Sequence, residues 1–410
     1  MNKNCRFCNS NLNVVFIDLG MSPLSNGFLD EKKLDDKEEK FPLKAFVCEN
    51  CFLVQLQEWQ SPSKIFSKYA YFSSYSDTWL NHAEKYTEKM IKRFNLDGKK
   101  FVVEIASNDG YLLQYFKNKG IKILGIEPAE NVADVAIKKN IPTIKKFFNS
   151  DIALELKEKN KQPDLIVGNN VLAHVPNLND FVKGLKILLS KDGIITLEFP
   201  HLLKLIEMNQ FDTIYHEHFS YFSLFVVKKI FEKYDLTIFD VDVLSTHGGS
   251  LRIYLKHSEN SRYQISEKII NLLNKEKDAG LNKIDTYEKF SIKVEEIKIK
   301  IKIFFENAKI ENKKIVCYGA AAKGNTLLNY CELSKNEILF VVDRNEYKQG
   351  LFLPGTHIII KKPDAIKEAK PDYLLILPWN LKNEIMKQME FIREWGGKFV
   401  IPIPEVKIIP

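Results

Sequence analysis

The chain has 410 residues, about 2.7 times a typical domain of ~150, so two or three domains are expected. Apolar residues at 45% and charged residues at 28% are ordinary for folded proteins, which excludes a wholly disordered chain. A net charge of +7 over this length suits a phosphorylated small molecule and is too thin for a nucleic-acid footprint.

The opening Met1-Asn2-Lys3-Asn4-Cys5-Arg6 lacks the apolar core of a signal peptide. No run of about 18 uncharged apolar residues follows, so the reading is cytoplasmic, with no membrane partner. Cys5, Cys8, Cys48 and Cys51 then form C-x2-C twice, with 39 residues between the pairs. In a reducing compartment two such pairs read as a tetrahedral zinc site. Four thiolates close the coordination shell, so the ion is structural. Cys317 and Cys331 read as core residues. Short strand-like runs at Phe46-Val47-Cys48 and Leu53-Val54-Gln55-Leu56 complete this unit, and Asp30 to Lys40 reads as a solvated charged loop.

From about residue 70 to 96 the apolar spacing is helical. Alternating strands and helices follow: strands at Phe101–Ile105, Ile123–Ile126, Leu165–Val167, Gly193–Phe199, Thr237–Val243 and Leu251–Leu255. That alternation predicts a doubly wound, mostly parallel sheet. Residues 262 to 313 read as a long amphipathic helix with a solvated lysine face. A second βα series begins at Ile315–Tyr318, with later strands at Leu339–Val342, near Leu374–Leu377 and at Lys398–Ile401. Both series share a layout of strand, small-residue turn, helix, strand, acid. The expected fold class is α/β, in four parts: a zinc-binding domain (1–68), a Rossmann-like domain (69–261), a helical connector (262–313) and a second Rossmann-like domain (314–410).

The clearest cofactor signal is Val102-Val103-Glu104-Ile105-Ala106-Ser107-Asn108-Asp109-Gly110, followed by Gly125-Ile126-Glu127-Pro128. A nicotinamide fold would place G-x-G-x-x-G in that turn. Acids and amides there suit an ammonium group instead, and the pattern resembles the first motifs of class I S-adenosylmethionine methyltransferases. That resemblance implies that Glu104, Ala106, Ser107, Asn108, Asp109 and Gly110 cradle the methionine end. Glu127 and Pro128 would then meet the ribose, Phe148 (beside Phe147) the adenine, and Asn170 the neighbourhood of the sulfonium.

Tyr215-His216-Glu217-His218 is dense in acid/base groups, but its histidines are two apart, which no H-E-x-x-H metal helix allows. His174 and His247 each lie beyond a strand end, where crevices form. The turn Gly319-Ala320-Ala321-Ala322-Lys323 could meet a pyrophosphate through its amides and its lysine, or be a tight βα turn with a surface lysine.

Taken in order, the four cysteines, Tyr69-Ala70-Tyr71-Phe72-Ser73-Ser74, E-I-A-S-N-D-G, G-I-E-P, L-A-H-V-P, Y-H-E-H-F, H-G-G and Y-G-A-A-A-K resemble one family over nearly the whole chain. It is that of the C-methyltransferases acting on nucleotide-linked 4-keto-6-deoxyhexoses, such as those of the tetronitrose, mycarose and noviose pathways. The resemblance implies catalytic roles for Tyr71, His174, Tyr215, Glu217 and His218, and none for His216. His218, oriented by Glu217, would be the base that forms an enolate, with the tyrosines as donors or relays. His247, Gly248 and Lys323 are expected to bind the nucleotide-diphosphate sugar. Competing readings are an O-methyltransferase on such a sugar, an epimerase that enolises without methylating, and a zinc-ribbon binding module for RNA or protein.

Overall fold

The computed structural model describes residues 4–66 and 72–410, so Tyr71 and its expected role lie outside the described residues. The chain builds three sheets. Strands β1 (Val14–Ser22), β2 (Phe41–Val47) and β3 (Val54–Leu56) form an antiparallel ribbon beside the cysteines.

The central sheet is entered at β4 (Phe101–Ile105) and continues through β5 (Lys122–Ile126), β6 (Thr143–Ile144), β7 (Leu165–Asn169) and β8 (Ile194–Pro200). The next strand, β9 (Ser220–Tyr221), leaves this sheet and pairs with β3 of the N-terminal ribbon. Strands β10 (Leu236–Leu244) and β11 (Ser250–His257) close the central sheet in the order β10-β11-β8-β7-β4-β5-β6. Pairing is parallel from β6 to β8, and β11 is antiparallel to both neighbours. β4 lies inside the sheet because both its faces are covered, and its residues are nearly continuously buried.

The third sheet holds β12 (Ile315–Tyr318), β13 (Val341–Val342), β14 (Ile360–Lys361), β15 (Tyr373–Ile376), β16 (Lys398–Ile401) and β17 (Lys407–Ile409). Its order, β14-β13-β12-β15-β16-β17, puts the first strand beside the second and fourth, as in the central sheet. Crevices form at such a reversal, outside the carboxyl ends of the strands. Strand β13 is shorter than the expected Leu339–Val342 run.

Two expectations change. The single long helix over 262–313 is two helices, Glu267–Asp278 and Ile284–Ile310. Gly280 separates them at φ +81°, where an added Cβ would lie 2.3 Å from Thr286 Oγ1, so the backbone turns where only glycine fits. The Asp30 to Lys40 segment is also not wholly solvated. Glu38 in it accepts from the Gly355 amide at 2.8 Å and contacts His357 Nε2 at 3.1 Å, tying the segment to the third sheet.

Among the described residues the N-terminal unit has no separate core. Phe16 and Leu43 join the core of the third sheet and the Ile284–Ile310 helix, with Phe16 stacked on Phe290 at 4.6 Å. Cys5, Phe7, Cys48 and Leu53 join that of the central sheet. The ribbon therefore wedges between the two α/β units. No helix among the described residues is long and apolar enough to cross a membrane.

Candidate active site and zinc centre

Each C-x2-C makes the same knuckle. The amide of Asn9 donates to Cys5 O and that of Cys5 to Ser10 O; Phe52 donates to Cys48 O and Cys48 to Leu53 O. Asn9 and Phe52 sit at φ +64° and +67°, which turns both thiols of each pair inward. The four Sγ atoms lie within 4.8 Å of one another. Gln55 Nε2 donates to Cys5 Sγ at 3.2 Å, the kind of second contact that steadies a ligand. Four soft thiolates so gathered fit zinc, and leave it no open position.

The turn after β4 carries the expected cofactor residues. Ala106, Asn108 and Gly110 all take positive φ (57°, 49°, 77°), which coils the turn back over the strand end. A Cβ on Gly110 would fall 2.2 Å from Ile141 Cδ1, so only glycine passes there. Asn108 N donates to Glu127 Oε2 at 2.9 Å and Ala129 N to Oε1 at 2.8 Å, so Glu127 and Pro128 are fixed against the turn. Glu104, Ser107, Asp109, Asn169 and Asn170 each keep a buried side-chain polar atom with no hydrogen-bond partner among the described residues. Such atoms cost about 1–3 kcal/mol apiece unless a ligand satisfies them. Burial, with the Glu127 and Asp109 charges added, pushes Glu104 well above the usual carboxylate range. A cluster of acids in each other's field fits a cationic ligand, as the ammonium and sulfonium of S-adenosylmethionine require. Phe148 packs edge-on to Phe181 at 5.4 Å, and the exposed ring at this edge is Phe147.

Tyr215 to His218 lie between the Phe211–Thr213 turn and β9. Because Leu56 N donates to Phe219 O and Phe219 N to Ala173 O, the segment is held between the N-terminal ribbon and the turn bearing His174. The His218 ring lies between the Thr213 carbonyl, 2.9 Å from Nδ1, and the Tyr215 hydroxyl, 2.9 Å from Nε2. A carbonyl can only accept, so Nδ1 carries the proton and Nε2 presents a lone pair that takes the tyrosine O–H. Burial, then the neighbouring His174 imidazole, lowers His218 well below the ordinary imidazole value. His174 Nδ1 donates to Glu217 O at 2.8 Å, its ring is 4.8 Å from His218, and burial lowers it to about 4.

Glu217 reaches across to the N-terminal unit, while both ring nitrogens of His218 meet Thr213 and Tyr215. The Glu217 carboxylate accepts from Asn26 Nδ2 at 2.7 Å, a residue of the N-terminal unit, and its main chain holds His174. His216 turns away to Pro42 O, 3.3 Å distant.

His247 receives Asn170 Nδ2 at 3.1 Å and meets the Trp79 ring at 5.2 Å, joining the cofactor turn to the same cleft. Burial, then Lys323, lowers it to about 4. Gly248 accepts Gln210 Nε2 through its carbonyl at 2.8 Å, and a Cβ there would strike Trp379 at 2.5 Å. Lys323 is not a surface lysine: it is enclosed, donates to Asn380 Oδ1 at 2.9 Å and lies 5.0 Å over Trp379. The turn before it is partly engaged already. Ala320 N donates to Asp343 Oδ2 and Lys348 Nζ to Ala320 O, both at 2.8 Å.

The contact of Trp379 has no local sequence pattern, whereas Asp343 is the acid of the second series. Trp379 Nε1 donates to buried Asp212 at 2.7 Å, and Asp212 adjoins the Thr213 carbonyl that orients His218. Asp343 repeats the geometry of Glu127, taking the amide of the first turn and, at 2.8 Å, that of Asn345 two residues on.

Family models match three segments: a zinc binding domain over residues 5–66, a methyltransferase domain over 79–241 and a C-methyltransferase C-terminal domain over 245–404. The C-methyltransferase NovU of Streptomyces niveus is 33% identical over 405 residues, covering 99% of this chain and 96% of that one. Solved structures give shorter likenesses. Magnesium protoporphyrin IX methyltransferase of Synechocystis PCC 6803 is 15% identical over 43% of this chain and 78% of its own, with a TM-score of 0.33. The PH0226 protein of Pyrococcus horikoshii OT3 is 13% identical over 48% of this chain and 99% of its own, with a TM-score of 0.37.

Proposed function

The chain belongs to the family of C-methyltransferases that includes the Streptomyces niveus protein and is an S-adenosylmethionine-dependent methyltransferase; on that premise we propose that it methylates the carbon alpha to the ketone of a nucleotide-linked 4-keto-deoxy sugar, through an enolate. The observation that carries the reading is the neutral His218, its Nε2 lone pair held by a tyrosine hydroxyl inside an enclosed cleft.

A proton alpha to a ketone is removed readily only when the base is unprotonated and the enolate oxygen is stabilised as it forms. His218 Nε2 takes that proton, directly or relayed through the Tyr215 hydroxyl. Tyr215 is the near donor for the enolate oxygen, and Tyr71 is offered for the same task by its place in the family motif. His174, its Nδ1 donating to Glu217 O, is held beside His218 where it can help position the sugar. Glu217 ties Asn26 of the N-terminal unit to this wall. Lys323 supports an anionic substrate as a fixed cation, and Asp343 is the acid suited to a ribose on the third sheet. The Glu104–Gly110 turn and Glu127 would hold S-adenosylmethionine, which when bound would supply a methyl already activated on sulfur, with the neutral thioether as leaving group. The chain's part is then to aim the carbanion-like carbon in line with it.

The test is mass spectrometry on nucleotide 4-keto sugars incubated with the protein in D2O, with and without the methyl donor. Deuterium uptake without it and a carbon-bound methyl with it are expected. Methyl gain on oxygen, or no gain on any such sugar by protein that binds the donor, would overturn the substrate or the regiochemistry.

The pH dependence follows from His218. A base works unprotonated, so a depressed pKa keeps it active as pH falls. The acid limb of kcat/KM for deuterium uptake is therefore expected well below pH 6.5, the ordinary imidazole value. A limb at or above 6.5 would count against His218 as the base.

Trp379→Phe keeps the ring and removes only the N–H to Asp212. Because Asp212 adjoins the carbonyl that fixes His218, turnover should fall about tenfold while KM for the sugar stays within about threefold. A change confined to KM would show that Trp379 serves binding instead.

A further inference from the structure

Glu198, on β8, is fully buried, and three elements share its carboxylate. Arg252 of β11, its cross-strand neighbour, donates through Nη2. His82, on the helix Asp77–Phe94, brings Nε2 to 3.1 and 3.0 Å from the two oxygens. Thr246 Oγ1 donates at 2.9 Å from the turn that bears His247. Burial raises the Glu198 carboxyl, but His82 and Arg252 outweigh it and hold it at about 2.

These contacts close into a ring around His247. Asn170 Nδ2 donates to His247 Nε2 at 3.1 Å, and Asn170 N donates to the Glu198 carbonyl at 2.7 Å. His82 stacks on Trp79 at 4.9 Å, and Trp79 stands edge-on to His247 at 5.2 Å. One residue thus sets the His247 turn and the Asn170 turn at a fixed separation, through its side chain and its main chain. The fixing is needed. His247 sits at φ +53°, a left-handed conformation that a residue with a side chain keeps only where its surroundings impose it. With Nε2 accepting from Asn170, the His247 proton is on Nδ1. Its turn packs on Trp379, so it lines the cleft between the central and third sheets.

We propose that Glu198 is a positioning residue for methyl transfer: through Thr246 and His82 it fixes His247, on the sugar side of the cleft, against Asn170 on the cofactor side, so that the enolate meets the methyl in line. This rests on the function proposed above. Buried ion pairs add little to stability over apolar packing, so what the cluster orients accounts for it better than what it stabilises. His218 takes its own orientation from Thr213 and Tyr215. Loosening the Glu198 ring therefore leaves proton removal in place and misaligns the step after it. An enolate out of line with the methyl takes its proton back from His218 at the same carbon.

Glu198→Gln would strand Arg252 without its counter-charge, so the test is made at Thr246. Thr246→Val removes only the hydroxyl, while Gly249 N and Ser250 Oγ still close the turn on Thr246 O at 2.9 and 3.0 Å. Methyl transfer should fall about 30-fold and donor-free deuterium uptake stay within about threefold, so exchange events per methylation rise about tenfold or more. Thr246→Ser keeps the hydroxyl and should return that ratio to the parent's. A merely structural fault would lower both rates together. An unchanged ratio in Thr246→Val, or no rescue by Thr246→Ser, would overturn the proposal. A second readout needs no sugar: histidine nitrogen NMR of the full chain with S-adenosylhomocysteine, the His247 signals assigned by their loss in His247→Gln. The proton is expected on Nδ1 in the parent and in Thr246→Ser, and averaged over both nitrogens in Thr246→Val. One fixed tautomer in all three would overturn the role of Glu198, whereas a parent that processes no 4-keto sugar would overturn only the substrate reading.

Discussion

His218→Gln should slow both deuterium uptake and methyl transfer about 1000-fold, the middle of the range for a positioned general base. The amide has no basic nitrogen, so the lone pair that now receives the Tyr215 hydroxyl is lost along with the base. S-adenosylmethionine affinity should change by no more than about twofold, because the cofactor turn is fixed by Glu127 and not by His218. Tyr215→Phe should cost less, about 100-fold, since water can replace a relay more readily than a base. The comparison to make is donor-free exchange beside binding calorimetry. Exchange by His218→Gln within about tenfold of the parent would remove the residue from the base role.

The parts of this site that could be read in the chain are those whose residues are close in sequence. Each zinc ligand has a second ligand three residues away. The cofactor turn is contiguous, and its partner acid ends the very next strand. What escaped is what docking assembles. Asn26, Asp212, Lys348 and Trp379 come from three different units and carry no periodicity that names them. The two-residue β9 is too short for an alternation, yet its pairing with β3 brings the N-terminal ribbon to the catalytic segment. The contact of Glu217 with Asn26 was equally hidden, because neighbours on irregular or extended backbone project to different sides and adjacency to His218 does not say which partner each side chain finds. The turn before Lys323 fits a pyrophosphate contact and a tight βα turn with a surface lysine equally well, and nothing in its spacing shows that the fold encloses the lysine. Here Asp212 offers it a counter-charge inside the cleft.

Removing the zinc should abolish most methyl transfer, by about 100-fold or more, while S-adenosylmethionine still binds. A structural zinc site contributes on the order of 10 kcal/mol to folding, and this ribbon has no core of its own to fall back on. Cys48 and Cys51 immediately precede β3, and β3 pairs Gln55 with Ser220 and Val54 with Tyr221. Arg6, between the first two thiols, reaches Pro176 O at 3.2 Å beside the His174 turn and lies over the Phe219 ring at 5.4 Å. Losing the metal therefore frees both walls that position His174 and His218. The cofactor turn hangs instead from the central sheet through bonds that no cysteine touches. The decisive measurement is turnover and donor binding on one chelator-treated sample, repeated with Cys48→Ser. Full turnover without metal would mean that β3 and β9 hold together by strand pairing alone, whereas loss of both properties would mean that the central sheet itself depends on the zinc.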